Sequence, residues 1–304
     1  MKKISLIFLA LAIASTMQAQ WKAAKKFSAP SVHNVAVAIE GGVGGLMIDK
    51  SLGAPTKLGF NAGGGVGYTF YFAENYGFHS GLSFSYISSG YSAGEVHTDL
   101  TIDDVETWDA TTTFTGRADV TTTTTSVEEK YTTMLLELPI QFAYSQGHLW
   151  ANAGVRLSVP LSVNATYTYG PSSTGITYFH ETEVRVEGNP IPLEGGLTLD
   201  AENGSYSAHK MADKFSVFVT LSLEGGYRIP VDATSSVYVG AFVDYGINSY
   251  TTEDNEQFIT TTTLGGTNAT RFNGALKSTA TESFKNFATG IRAYYNFGIG
   301  KSLK

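Results

Sequence analysis

Residues 149–169 read LWANAGVRLSVPLSVNATYTY, and the alternation in this stretch decides the fold. Its odd positions are Leu149, Ala151, Ala153, Val155, Leu157, Val159, Leu161, Val163, Ala165, Tyr167 and Tyr169. Its even positions run from Trp150, Asn152 and Gly154 through Arg156, Ser158, Pro160, Ser162, Asn164 and Thr166 to Thr168. Successive side chains of a strand point to opposite faces, so a period of two predicts one apolar face and one polar or small face. About twenty residues in this pattern far exceed the five or six usual for strands of soluble sheets.

Seven further segments alternate in the same way: Val35–Ile48, Leu58–Phe72, Tyr76–Ile87, Met134–Tyr144, Phe215–Ile229, Val237–Asn248 and Phe287–Ile299. Three connections are short (73–76, 145–148 and 231–235), and four are long (49–57, about 88–129, 170–214 and 251–283). Short turns at one rim and long loops at the other characterise a membrane barrel of antiparallel strands. The expected fold is therefore all-β: a transmembrane, antiparallel, up-and-down β-barrel of eight strands with long extracellular loops. Aromatics beside the short turns (Tyr68, Phe70, Phe72, Phe78, Phe142, Tyr144, Tyr227) fit a girdle at the lower interface. A secreted sandwich or lipocalin-like barrel also alternates, but it turns its apolar face inward.

Composition agrees. Of 304 residues only 15% are charged, while 33 are Gly, 18 Phe, 17 Tyr and 3 Trp. A disordered chain carries more charge and far fewer aromatics. The absence of cysteine excludes disulfides, thiolate metal sites and a cysteine nucleophile. A net charge of −7 argues against a nucleic-acid partner. Lys2 and Lys3, the apolar run 4–14 and the small, polar stretch 15–20 form a secretory signal peptide, with cleavage expected after Ala19. The expected organisation is a signal peptide (1–19), a periplasmic leader (20–33) and a barrel domain (34–304), placing the protein in the cell outer membrane.

Sorting charges by parity puts Glu40, Glu137, Glu224 and Asp244 on the polar face with Arg156, Arg228, Arg292 and His79. An eight-stranded barrel is just wide enough to be filled by side chains. Charges enclosed there are costly unless paired, so these seven ionic residues are expected to form a structural network that plugs the lumen. A proton or ion path would use the same residue types. Pro139 and Pro160 lack an N–H and should mark bulges or unpaired positions.

The loops are rich in Thr and acids: Asp99, Asp103, Asp104, Glu106 and Asp109 near the runs 111–113 and 121–125, then 260–263 and Asn268-Ala-Thr270. Thr favours extended structure, so hairpins prolonging the strands are expected. Such surfaces suit an extracellular partner, a glycan or calcium. The six histidines, His33, His79, His97, His148, His180 and His209, show no spacing that singles out a catalytic dyad or triad. No enzyme activity and no cofactor are expected.

These segments resemble the outer-membrane β-barrel family common in Bacteroidota, called PorT-like, and more distantly the OmpA-type eight-stranded barrel. The resemblance rests on Met17-Gln-Ala-Gln20, on LLELPIQF at 135–142, on the strand around Gly154, and on GIRAYYNF at 290–297. It implies an integral outer-membrane protein, surrounded by outer-membrane lipid and inserted by the barrel-assembly machinery. The chain departs from the OmpA type in showing no peptidoglycan-binding segment after the barrel. It also runs past its last aromatic, Phe297. The role expected is structural or surface interaction through the loops; the alternatives are a small porin, transport or secretion component, and a barrel-type lipid hydrolase.

Overall fold

A computed structural model describes residues 30–49, 56–109, 112–170, 172–180, 184–185, 191–192, 198–199, 205–208, 217–232, 234–248, 259–264, 267–272 and 283–302. The expected signal peptide and most of the leader lie outside these residues. The strands in chain order are β1 (Ser31–Asp49), β2 (Thr56–Tyr71), β3 (Tyr76–Ala93), β4 (Val96–Asp109), β5 (Thr112–Thr124), β6 (Val127–Gln146), β7 (Leu149–Tyr169) and β8 (Ser172–Phe179). They continue as β9 (Val184–Arg185), β10 (Ile191–Pro192), β11 (Thr198–Leu199), β12 (Ser205–Ala208), β13 (Phe218–Pro230), β14 (Ser235–Gly246), β15 (Ile259–Leu264), β16 (Thr267–Phe272) and β17 (Ser283–Ser302).

Eight of them close a ring, in the order β1-β2-β3-β6-β7-β13-β14-β17, with β17 bonded back to β1 and every pair antiparallel. The fold is a closed eight-stranded barrel. Its tight turns share one rim: Gly147-His148, with Gly147 at φ 59°, residues 72–75, and residues 231–234. A two-residue hairpin needs such a left-handed position, and glycine occupies it without steric cost. Both ends of the ring, Ser31 and Ser302, meet at this same rim.

The exterior is apolar, as the parity predicts. Ile39 is 66% exposed, Leu223 60%, Phe78 58% and Ile291 63%, although each lies within a bonded strand. On β6 the outward apolar residues run from Tyr144 to Met134 and then give way to Thr132, Lys130 and Glu128. Ten residues rise about 33 Å along a strand, or about 25 Å along the axis at a tilt of roughly 40°. That equals the apolar band of an outer-membrane barrel. At its lower edge the rings of Phe72, Phe78, Phe142, Tyr76 and Tyr144 touch one another, with centroids 5.3–6.2 Å apart.

One parity assignment fails. Pairing between β6 and β7 slips where Met134 faces Ser162 but Leu135 faces Pro160, so Leu161 is an extra residue. This bulge places Leu161 and Ser162 on the same side and inverts everything above them. Val163 and Ala165, expected on the lipid face, are buried inside, while Asn164, Thr166 and Thr168, expected inside, point outward. The bulge follows Pro160, which has no N–H to hold regular pairing. Pro139 lies at an interruption of the β3–β6 ladder, where Gly81 and Leu82 leave Leu138 and Pro139 unpaired.

The strands also outrun the membrane. β6, β7 and β17 hold 20, 21 and 20 residues, about twice the apolar band. Beyond a jog at residues 94–95 the β3 strand passes into β4, and β5 returns through residues 125–126 into β6. The hairpin β4–β5 thus prolongs the barrel and pairs onward to β8, as the Thr content predicts. β8 carries β9 and β10, and β15–β16–β11 form a separate small sheet. With β12, which pairs antiparallel with the upper end of β7, these account for the strands beyond the eight expected.

Candidate functional site

The lumen has two storeys. In the lower one, Arg292 of β17 sits directly opposite Glu40 of β1 in the register that closes the ring. Arg292 Nε donates to Glu40 Oε2 at 2.7 Å, Nη1 to Glu224 Oε2 at 2.5 Å, and Nη2 to Asp244 Oδ2 at 3.1 Å. Arg156 Nη1 donates to Glu137 Oε2 at 2.7 Å and lies 3.7 Å from Glu40, while its Nε is 3.7 Å from Asp244 Oδ2. All these side chains are at least nine-tenths buried.

Neutral groups extend the network. Tyr294 donates its hydroxyl to Glu224 at 2.8 Å, and Asn152 Nδ2 donates to Glu224 Oε1 at 2.7 Å. Ser83 and Ser158 donate to the two oxygens of Glu137, each at 3.3 Å. The guanidinium of Arg292 also lies 4.1 Å from the centre of the Phe242 ring, a cation–π contact. Burying charges is repaid only when their partners and hydrogen bonds are complete, and here each arginine is shared among several acids.

Small residues make this room. A Cβ on Gly67 would come within 2.6 Å of His79 Cε1, and one on Gly63 within 3.0 Å of Glu40 Cγ. Gly67 and Gly63 of β2 are therefore spaces for the side chains of His79 and Glu40. His79 is buried as expected, hydrogen-bonded through Nδ1 to Thr69 at 2.9 Å and packed edge-on against Tyr294. Six of the seven expected charges meet in one cluster. Arg228 stands lower, near the short-turn rim, where Nε donates to Ser236 Oγ at 3.2 Å and the guanidinium faces the Tyr238 ring at 5.8 Å. Alternation identified which charges face inward but carried no information on height, so it missed this separation.

The upper storey adds large apolar and aromatic side chains to buried polar ones such as Asn61, Glu129, Thr133 and Asn286, where strict alternation predicts an inward face nearly all polar or small. Leu46, Tyr91, Tyr131, Leu135, Phe218 and Phe284 are all within 1% of complete burial or, for Phe284, at 2% exposure. Tyr131 donates to Glu129 within this layer. Two cavities of about 20 Å³ each lie in the lower lumen, one beside Asn34, Trp150 and Asn296 and one beside Glu40, Gly64 and Arg156. Each holds about one water.

Outside, the face of β4–β5–β8 carries a ladder of polar pairs. Thr121 donates to Asp99 at 2.6 Å, Thr101 donates to Asp119 Oδ1 at 2.8 Å, and His180 Nε2 reaches the same oxygen at 3.0 Å. The hydrogen bonds from His180 and then Thr101 hold the Asp119 carboxyl below its usual range. His97 contacts Thr123 at 2.9 Å and Glu95 at 2.8 Å. Thr101 bonds the carboxylate and not the imidazole. His209 lies outside the described residues, as do parts of the third and fourth loops.

No family model matches the chain, and no curated protein matches it. Among solved structures, it is similar to Ail, the attachment invasion locus protein of Yersinia pestis (8% identity, 88% of this chain and 99% of that one, TM-score 0.29). It is also similar to the outer membrane protease OmpT from Escherichia coli (11% identity, 90% and 99%, TM-score 0.28). A third is the translocator domain of the autotransporter NalP from Neisseria meningitidis (8%, 98% of each chain, TM-score 0.24). At such scores these likenesses carry no weight beside the hydrogen-bonded ring itself.

Proposed function

We propose that the protein is an integral outer-membrane barrel that does not conduct and that acts at the cell surface through its extracellular sheets. The observation that carries this reading is the pairing of an apolar exterior of membrane height with an ionic cluster sealed inside it. A soluble barrel would place Ile39, Leu223 and Ile291 in its core and Arg292 in water. The aromatic layer above the cluster and the water-sized cavities below it support a closed lumen.

The β4–β5–β8 face, with its Thr, Asp and His pairs, is the surface we assign to an external partner. The strand β4 is unpaired on one side among the described residues, but Asp103 and Asp104 sit at its bulge, a device that discourages strand addition. Contact through the side-chain face is therefore favoured over edge pairing. The affiliation to the Bacteroidota-type family that we propose rests on residues 17–20, 135–142, the strand around Gly154 and residues 290–297, and insertion by the barrel-assembly machinery goes with it. The role we assign is non-enzymatic. Reconstitution into planar bilayers tests the closed lumen, with no steady single-channel current expected. Stable, large conductance from the purified monomer, or recovery of the protein from the periplasm without detergent, would overturn the reading.

A further inference from the structure

The lower cluster holds four carboxylates, Glu40, Glu137, Glu224 and Asp244, against two guanidinium groups. Fully ionised, it carries an excess of two negative charges in a place where low dielectric makes an unbalanced charge costly. A second observation locates where that excess is met. Asp244 Oδ1, Asn286 Oδ1 and Thr220 Oγ1 are buried and have no hydrogen-bond partner, and their residues are 4%, 3% and 1% exposed.

The register brings these three oxygens together. Gly246 of β14 pairs with Thr220 of β13 and, just beyond the Tyr245–Phe287 pair, lies against the backbone of Asn286 of β17, with Asp244 one inward position below. Thr220 and Asn286 are thus both diagonal neighbours of Asp244, about 7–8 Å away at Cα and less between Cβ atoms. A Cβ on Gly246 would come within 2.7 Å of Asn286 N, so only glycine lets the strands approach here. Asp and Asn oxygens reach across such a diagonal. Three buried oxygens without a hydrogen-bond partner at adjoining inward positions describe a site for something that supplies positive charge or protons.

We propose that Asp244, Thr220 and Asn286 bind a single alkali-metal cation that offsets the charge of the lumen cluster. One anionic and two neutral oxygens suit a monovalent ion; among the described residues no group of three or more carboxylates or imidazoles is placed to hold a divalent ion, the lumen acids being turned onto the arginines. Arg156 and Arg292 both address the other carboxylate oxygen, Oδ2, leaving Oδ1 to the ion. A water could donate to the same acceptors, but it would leave the excess charge in place.

Because the lumen is closed, the ion is captured as the barrel forms. The test is to refold the full chain into detergent micelles in sodium chloride or in equal tetramethylammonium chloride, whose cation is too large for the gap. The expected result is a higher unfolding midpoint in sodium, rising hyperbolically with concentration as binding linkage requires. Thr220→Val, which keeps shape and charge, should raise the half-saturating concentration by about tenfold, the loss of one ligand. Asp244→Asn should abolish the difference between the salts. In crystals grown with thallium(I), an anomalous peak beside Asp244 is expected. Identical midpoints in both salts would mean a water or a proton occupies the gap and would overturn the proposal, as would a sodium effect undiminished in Thr220→Val.

Discussion

Around Arg292 the inward side chains are ions and their hydrogen-bond partners, whereas around Phe284, on the same strand, they are Leu46, Tyr131, Leu135 and Phe218. The outer surface changes in the opposite sense, from Ile140, Leu138 and Met134 within the apolar band to Thr132, Lys130 and Glu128 above it. The lower half is a membrane protein turned inside out, and the upper half is an ordinary water-soluble β-structure with an oily centre. One set of eight strands runs through both. What separates them on β7 is a single extra residue, Leu161, which exchanges the two faces of the strand where its surroundings change. The comparison shows that solvent, and not the strand, decides which side of a sheet is the core.

Inserting one alanine between Ser162 and Val163 attacks that division most directly. In a regular ladder the insertion turns Val163 and Ala165 outward and brings Asn164 and Thr166 into the apolar layer, so no heat-resistant folded band is expected on gels after refolding. An insertion that refolds with unchanged stability would mean the facing of β7 does not divide the halves. Next comes Arg292→Met, which strips three acids of their shared partner. An uncompensated buried charge costs about 3–5 kcal/mol, and the unfolding transition should fall accordingly. In the upper half the corresponding test is Phe284→Ala, with an expected loss of about 3 kcal/mol from lost packing. The two should differ in kind. Raising salt should not rescue Phe284→Ala, and lowering pH, which neutralises the abandoned acids, should partly rescue Arg292→Met alone.

Single cysteines introduce less disturbance, and the chain has none of its own. Asn164→Cys and Thr166→Cys should react with a membrane-impermeant maleimide added to cells, while Val163→Cys should not. Equal labelling of all three would contradict the exchange of faces. The smallest effect belongs to the lower rim. The N–H groups of Thr234 and Ser235 donate to Asp232 at 2.7 Å each and hold its carboxyl below the usual range. A lowered value in the folded state means that its stabilising contribution is present above the ordinary carboxylate range and disappears as pH falls through the lower one. NMR titration of Asp232 should give a midpoint below that of an unstructured aspartate, and Asp232→Ala should remove that acid-side loss.

The lower half was legible in the sequence because a membrane enforces the alternation. Tyr144 through Met134, and Val155 through Leu161, must be apolar outside, and the charges left over had to face inward. The upper half was not. Val163 and Ala165 continue the apolar series of β7 without a visible break, and no composition signal marks a bulge beyond Pro160 itself. Ile87 and Tyr91 looked like the end of a strand and the start of a loop, because an aromatic core above a membrane is invisible to parity alone. Arg228 was assigned correctly to the inside but not to its level, since alternation gives a face and never a height. The contact between Asp119 and His180 joins two loops distant in the chain, and only the pairing of β5 with β8 brings them together.

The ring's closing seam has a consequence for assembly. Glu40 arrives with the first strand, Glu137, Glu224 and Asp244 with later ones, and Arg292, which reaches three of them, only with the last. A chain stopped short of its final strand would carry four acids and one shared counter-charge, with two raw edges exposed. The residue that completes the wall is the same one that pairs with three of its inner acids, so closing the ring and balancing its interior are a single step.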